Sequence, residues 1–574
     1  DNGDGGNVFF ASGPAATDVV LDSPTNNFAV MNVLDKNSMT LSEGNLRPTP
    51  TGDYKGVRGN FAIPLTGKWF FEARVTTGGG GNITDQFIGI ATDQNVLSGS
   101  SPYPQTATYG VLYKMAGSIG RLGSNVQTGL SSFAAGDVLG VAINSTANEV
   151  QFYKNGSTVG SAVALPSTTR NSFAFFAGAT SRSSVFNFGQ DSTFAGAVSA
   201  GSATDGVGTF QSLPTDFKAL CTANLDEPAI IDGSEYFNTV LWTGNDADDR
   251  SISGVGFQPD WTWIKQRSSP DRSHLLVDSV RGATKRIKSD INSAEDTFAD
   301  GVQAFESDGF QIGTNNTVNA SPETYVAWNW LAGTAVSGAT TGSGTAKTYT
   351  GSVNTEAGFS IIKYVGNGTA GHTIPHNLTV GGVATTPSMI MVKRLDDGGG
   401  WRVQHKDVAA THYLALDTNA GKADLATIFN DTAFNSTVFT VGSASSINSN
   451  DAGSAYIAYC FTDIEGFSKA GMYIGNSSAD GTYVNTGFKV SWLMVKDRDN
   501  TGSWYIWDDK RSAHNEMNDR LVADLPAYEV ADREVDFLSN GFKLRESNNA
   551  HNTSGREYIY LAFAEQPFKY SNAR

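Results

Sequence analysis

The sequence predicts an all-β, multidomain protein: one β-sandwich followed by three tandem, related β-sandwich-like modules. Three observations carry this. First, a short aromatic and β-branched run ending in lysine occurs three times. It reads FQPDWTWIKQR at Phe257 to Arg267, TTPSMIMVKR at Thr385 to Arg394 and FKVSWLMVKDR at Phe488 to Arg498. Second, apolar and polar residues alternate in short runs with no sustained helical periodicity, as half-buried strands require. Third, 63 glycines and frequent Ser, Thr and Asn supply the turn residues of many tight connections.

Each opening run is followed by a second strand-like run that ends in polar residues: His274-LLVD, Trp401-RVQHKD and Trp504-YIWDD. Each unit closes on a third run: Tyr325-VAWNWLAG, Tyr456-IAYCFTDIEGF and Tyr558-IYLAFAEQPF. Copies about a hundred residues apart match one small domain each. The expected boundaries are 235–333, 358–470 and 471–574 for the modules, with 334–357, rich in Gly, Ser and Thr, as a linker.

Ahead of them, 1–194 reads as a sandwich. Its runs include Thr66-GKWFFEARV, Gln86-FIGIATD, Tyr109-GVLYK, Ala135-GDVLGVAIN, Glu149-VQFYKNGSTVG, Ser172-FAFFAGA and Ser184-VFNFG. Asn155-Gly156 predicts a two-residue hairpin turn, since both residues tolerate positive φ. Gly78-GGG and Asn82, and the segment Gln94 to Thr108, read as loops. Residues 195–234 form a connector, an ordered elbow with one short helix around Leu213-PTDFKALCTANLDEP. A further helix of two or three turns is expected in Ser512 to Asp524.

Gly67-KWFFE, Phe87-IGIATD, Gly136-DVLGVAIN and Val150-QFYKNG, in that order, resemble the SPRY domain, a concanavalin-like sandwich. The resemblance covers roughly 25–190. It implies a recognition or packing role and no catalysis.

The formal net charge of −17 excludes nucleic acid as an expected partner, because phosphate recognition needs clustered Lys and Arg. The one basic cluster, Asp278 to Ile291, reads as a solvated turn or an anion contact. No run approaches the ~20 apolar residues of a membrane span, so no membrane insertion is expected. The numbering starts at Asp1, so an anchor or export signal ahead of it is compatible with the sequence. Cys221 and Cys460 form neither a disulfide framework nor a metal spacing.

No catalytic or metal-ligating set is assigned, no binding residue is singled out, and no cofactor is expected. Asp246, Asp248 and Asp249, and Asp508 and Asp509, are acids a polysaccharide-cleaving site would need in facing pairs, but turn contexts explain them as well. The first group also suits a calcium loop by residue type, without the ligand order of an EF-hand. His405 and His412 lack a zinc pattern. Gly342-SGTAKT has phosphate-loop letters, but Ala346 precedes Lys347 and no helix follows. Trp242, Trp261, Trp263, Trp401, Trp492, Trp504 and Trp507 lie mostly in the strand runs, and Trp261 and Trp263 share one face, which is either core or a sugar-stacking platform. Met494 on the same face as Trp492 favours core. Lys265, Lys393 and Lys496 recur at the strand exit, and an ion pair to Asp278, Asp407 or Asp508 is the expected reason.

Together with the sandwich in front, LPTDFKALCTANLDEP, FQPDWTWIKQR with its downstream RGATK, and the SDGFQ beginning at Ser307 resemble a class of bacteriophage virion proteins. The resemblance implies a tail-fibre, tail-spike or head-fibre component located in the virion. Other virion proteins, copies of the chain itself (a trimer foremost) and a host cell-surface glycan are its expected partners. The readings to separate are multivalent host attachment, a capsid-decorating or head-fibre role without receptor binding, and a polysaccharide-degrading spike.

Overall fold

The computed structural model describes residues 23, 25–76, 86–93, 97, 109–168, 170–449, 454–547 and 550–571. The predicted loop at 78–82 lies outside the described residues, as does 94–108 apart from residue 97. The chain forms two compact units, Asp1–Glu227 and Pro228–Arg574.

The first unit is a sandwich of antiparallel sheets. One sheet runs in the order Met31–Lys36, Lys55–Gly59, Ser172–Gly178, Gln86–Thr92, Gly110–Lys114, Ser118–Arg121, Ser124–Gln127. The other runs Ser157–Ala164, Glu149–Lys154, Val138–Asn144, Lys68–Val75, Ser184–Asn187. Asn155 and Gly156 turn between Lys154 and Ser157 at φ 48° and 80°, the left-handed geometry their hairpin demands.

The connector is part of this unit. Lys218–Ala219 adds to Lys68–Val75 as a parallel strand, and Phe210, Ala219 and Cys221 pack with Phe28 and Phe70. Glu72 of the WFFE run holds it there, accepting from the backbone N–H groups of Gln211 (2.9 Å) and Ser212 (2.8 Å). The expected elbow is therefore a docked segment up to Glu227. Its helix is one 3₁₀ turn, Thr222–Asn224. Residues 228–234 belong to the second unit, where Ile230 enters the core.

The second unit holds the three modules. Each is built on the same four strands: a first strand, the closing strand, the opening strand and the second strand. In module 1 these are Phe237–Thr243, Thr324–Trp330, Trp261–Gln266 and Leu275–Asp278. In module 2 they are Phe359–Val365, Ala455–Phe461, Met389–Arg394 and Arg402–His405. In module 3 they are Ser468–Ile474, Glu557–Pro567, Phe488–Asp497 and Tyr505–Asp508. A smaller sheet covers one face in the first two modules, as Arg250–Ser253, Gly309–Ile312 and Val302–Glu306 do in module 1. In module 3 the sheet continues through Met517–Val522 into the covering strands.

Three expectations about boundaries and elements are corrected. Residues 334–357 are not a linker: Thr334–Ala339 and Thr348–Asn354 pair with each other, and the latter pairs with Phe359–Val365 at the edge of module 2. Tyr349 and Val353 are buried on one face, so two in-register apolar residues outweigh the loop-like composition. A boundary at 470/471 would cut Ser468–Ile474, which pairs with the closing strand of module 3. The helix expected in 512–524 is the strand Met517–Val522, drawn into sheet pairing at Leu521 and Val522.

The modules are also not independent domains. The uncovered faces of their main sheets meet in one continuous aromatic core. Trp261 stacks on Trp330 at 4.3 Å and on Tyr459 of module 2 at 4.4 Å. Trp330 meets Trp492 and Phe563 of module 3, each at 5.7 Å, and Phe461 meets Phe563 at 5.9 Å. Such ring pairs add roughly 0.5–1.5 kcal/mol each beyond the area they bury.

Candidate functional site

The strongest repeated chemistry lies in the seams between modules. At equivalent positions His274, Trp401 and Trp504 each donate to a backbone carbonyl of another module. The acceptors are Val522 (2.9 Å), Lys288 (2.8 Å) and Ala415 (2.9 Å). His274 can donate from Nε2 because its Nδ1 accepts from the Trp263 indole at 2.8 Å. Two residues earlier, the N–H groups of Arg272, Gly399 and Gly502 donate to the carbonyls of Pro526, Asn292 and Asn419. A third set runs from Glu529, Glu295 and Lys422 to the carbonyls of Arg267, Leu395 and Arg498, each at 2.8 Å. Every set links module 1 to 3, 3 to 2 and 2 to 1, so the three modules close into a ring.

The recurrent lysines sit in these seams. Lys265 Nζ donates to the carbonyls of Gln266 (3.0 Å) and Pro526 (2.9 Å). Lys393 donates to that of Arg394 (2.8 Å), and Lys496 to that of Asp497 (2.8 Å). The expected pairing with Asp278, Asp407 and Asp508 is overturned: Asp278 and Asp508 are held by Arg281 and Arg511 instead, at 2.6 and 2.5 Å. Burial pulls all three ammonium groups down to about 8. Negative charge nearby, including Asp290, Asp417 and Asp524 at equivalent positions, opposes that pull. Burial in turn raises those three carboxyls.

The basic cluster at 278–291 is neither a solvated turn nor a free anion site at its centre. Arg281 is buried between Asp278, Glu295 and the Leu276 carbonyl. Arg511 repeats this with Asp508, Glu529 and the Ile506 carbonyl.

The tryptophans singled out from sequence are all buried, Trp261 and Trp263 at 1% and 0% exposure, so the stacking-platform reading fails for them. Asp246 and Asp249 occupy left-handed turn positions (φ 59° and 53°), and Asp246 accepts from the Ser321 N–H. Asp508 faces Arg511 while Asp509 faces Ser491 at 3.0 Å, so the two adjacent acids do not converge. Burial lifts Asp509 to about 7. His405 is buried at the end of its strand, and His412 lies on a separate two-residue strand, its Nδ1 beside the Thr411 hydroxyl. Lys347 closes a turn whose backbone bonds to Thr340, with no phosphate cradle. Cys221 and Cys460 are free and buried.

One repeated device has no counterpart in the sequence reading. Asn319, Asn448 and Asn552 are fully buried. Each donates to the carbonyl six residues before it (Gly313, Gly442, Glu546) and accepts from the N–H of Asn245, Asn367 and Asn476. The Asn-x₅-Tyr spacing shared by modules 1 and 3 was the signal for it.

In the first unit, a groove of about 480 Å³ opens on the docked connector. Leu213, Pro214 and Phe217 supply its apolar wall, and Asp205, Asp216 and Lys218 its polar rim. The Lys68 ammonium lies 5.8 Å from the Phe217 ring centre and 3.4 Å from Asp216. Asp205 is occupied by the N–H groups of Val207, Gly208 and Ala219, whereas the Asp216 carboxylate is largely open to solvent.

Comparison with known proteins follows the two units. The profile of the SPRY domain matches residues 68–191. A family described as "Domain of unknown function (DUF7483)" matches 232–567. No curated protein matches. Among solved structures, the SPRY domain of human HERC1 is 16% identical, covering 27% of this chain and 96% of that one, with a TM-score of 0.24. The TRIM65 PSpry domain is 10% identical, covering 28% and 90%, with a TM-score of 0.24.

Proposed function

We propose that this chain, which belongs to the DUF7483 family, is a structural protein of a bacteriophage virion. In this reading it is a tail-fibre or appendage component that recognises the host surface by multivalent binding. The observation that carries it is the closed ring: three modules share one aromatic core and, at every seam, the same two backbone–backbone bonds and one side-chain bond to a backbone carbonyl. At neutral pH such a body holds its three modules together, as a scaffold for binding elements requires. The SPRY domain in front of it is then the binding element. The groove beside Phe217 offers an apolar ring face with an open carboxylate and Lys218 at its edge, a chemistry suited to a sugar. Copies assembled through other virion proteins, three foremost, raise weak contacts to useful avidity. Against a polysaccharide-cleaving spike stands the fate of its best acids, with Asp508 neutralised by Arg511 and Asp509 turned to Ser491.

Antibody labelling of intact particles in the electron microscope tests the location. Label on a tail appendage supports attachment, label on the capsid surface replaces it with a decorating role, and absence from particles refutes the virion reading. A glycan array probed with the oligomerised chain tests recognition. Binding lost in Phe217→Ser supports the groove, and no binding at all removes the host-attachment role.

A further inference from the structure

The three seams share their backbone bonds but not their polar centres, and the ring thus contains its own internal controls. At the seam between modules 1 and 3, the Trp328 indole donates to Asp508 at 2.9 Å, and Asp508 is paired with the fully buried Arg511. At the seam between modules 2 and 1, the Tyr459 hydroxyl donates to Asp278 at 2.7 Å, and Asp278 is paired with the fully buried Arg281. Each arginine is held further by a glutamate, Glu529 or Glu295.

At the seam between modules 3 and 2 the same positions are filled differently. His405 stands where the aspartate stands elsewhere, Val408 where the arginine does, Lys422 where the glutamate does, and Leu561 where Trp328 and Tyr459 do. What remains of the histidine's own bonding across the seam is one long bond, Nε2 to the Tyr560 carbonyl at 3.4 Å, beside the Arg498 guanidinium, which donates to the Asp407 carbonyl at 3.1 Å. An ion pair between Lys422 and Asp499, both partly exposed, lies outside it. His405 itself is 1% exposed. Its Nδ1 accepts from the Asp407 N–H at 3.1 Å, which leaves Nε2 to carry the single proton of the neutral ring.

We propose that the seam between the second and third modules is the joint at which the ring opens, and that protonation of His405 releases it. A proton added at Nδ1 abolishes the bond from the Asp407 N–H and places a cation in an enclosed apolar seam. The charged groups around it are Lys406 and Asp407 in its own turn, Asp463 beyond the closing strand, and Arg498 of module 3, which donates to the Asp407 carbonyl. Lys406 opposes the added charge while Asp407 and Asp463 favour it. Burial dominates and holds the ring nitrogen at about 4. His274, the histidine of the module 1–3 seam, is also pushed well below the ordinary range by burial, with Lys265 and Arg511 adding to it, but that seam keeps its buried Asp508–Arg511 pair and stays closed. A ring that opens at one seam exposes the Met494 and Leu561 faces while its other two joints hold.

Hydrogen exchange of the full chain, followed peptide by peptide from pH 7 to 4 and corrected for intrinsic rates, tests this. Between pH 6.5 and 4, residues 413–422 and 498–508 are expected to open about tenfold more per pH unit. Residues 286–292 with 394–401, and 267–274 with 519–527, stay protected. His376, also held at about 4, lies in the covering sheet of module 2. The His405→Asn variant therefore separates the two: it retains the fold and loses the acid response at the seam. The triple variant His405→Asp, Val408→Arg and Lys422→Glu restores the aspartate–arginine–glutamate set of the other seams and likewise abolishes the response. Equal opening of all three seams, or an unchanged response in His405→Asn, overturns the proposal.

Discussion

The Trp504 indole donates to the carbonyl of Ala415 at 2.9 Å, from the third module to the second. Trp401 to Lys288 and His274 to Val522 repeat the bond at the other two seams. Trp504→Phe removes the donor, keeps most of the ring and leaves a half-buried carbonyl without this partner. The expected loss is about 1–3 kcal/mol of unfolding free energy, read in urea denaturation of the full chain. A change within error means the seam bonds add nothing.

The buried arginines predict a larger effect. Arg511→Ala leaves Asp508 and Glu529 facing a seam without their cation, and about 3–5 kcal/mol is expected to be lost. Arg511→Lys recovers little, because a single ammonium cannot reach Asp508, Glu529 and the Ile506 carbonyl together. Full recovery by lysine in the same denaturation assay contradicts this account.

The three seam lysines set an alkaline dependence. Their folded values of about 8 lie below the ordinary 10.5, so the unfolded chain binds more protons between those limits. Stability therefore rises as pH rises from about 8 towards 10, and is lost again as pH falls through 8. The gain is about 1–3 kcal/mol per lysine at most. Above pH 10 the buried Tyr364, Tyr459 and Tyr473, whose hydroxyls burial pushes well up, reverse the trend. Thermal melts at pH 7.5, 8.5 and 9.5 should climb, and should flatten in the triple Lys→Met variant. A flat wild-type series rules this out.

Gly309 and Gly541 occupy equivalent turns in SDGF and SNGF. A Cβ on Gly309 would stand 1.9 Å from the Ile252 carbonyl, and one on Gly541 1.9 Å from that of Val484. Alanine at either site should cost more than about 2 kcal/mol, against the few tenths expected of an ordinary turn glycine. Melting temperatures of the two single variants decide it.

The sequence by itself determined the all-β class, the three-fold repetition and the SPRY-like unit. Alternation and turn chemistry are local, and 261–266, 389–394 and 492–497 carry them within a few residues. It also favoured a core for Trp261 and Trp263, because Met494 fills the equivalent of Trp263. What the inner faces meet was decided only in three dimensions. Lys265 finds the carbonyl of Pro526, 261 residues away, and local reading offered Asp278 instead. Asp278 was already taken by Arg281, three residues on, in a turn whose basic letters look solvated. The stretch 334–357 has the composition of a linker, yet pairing with Phe359–Val365 makes it a sheet edge. Strand pairing and seam closure join residues with no sequence proximity, so neither periodicity nor composition records them. The odd seam at His405 shows the limit most plainly. One histidine in place of an aspartate is unremarkable in the sequence, and acquires meaning only beside the two seams that kept the acid.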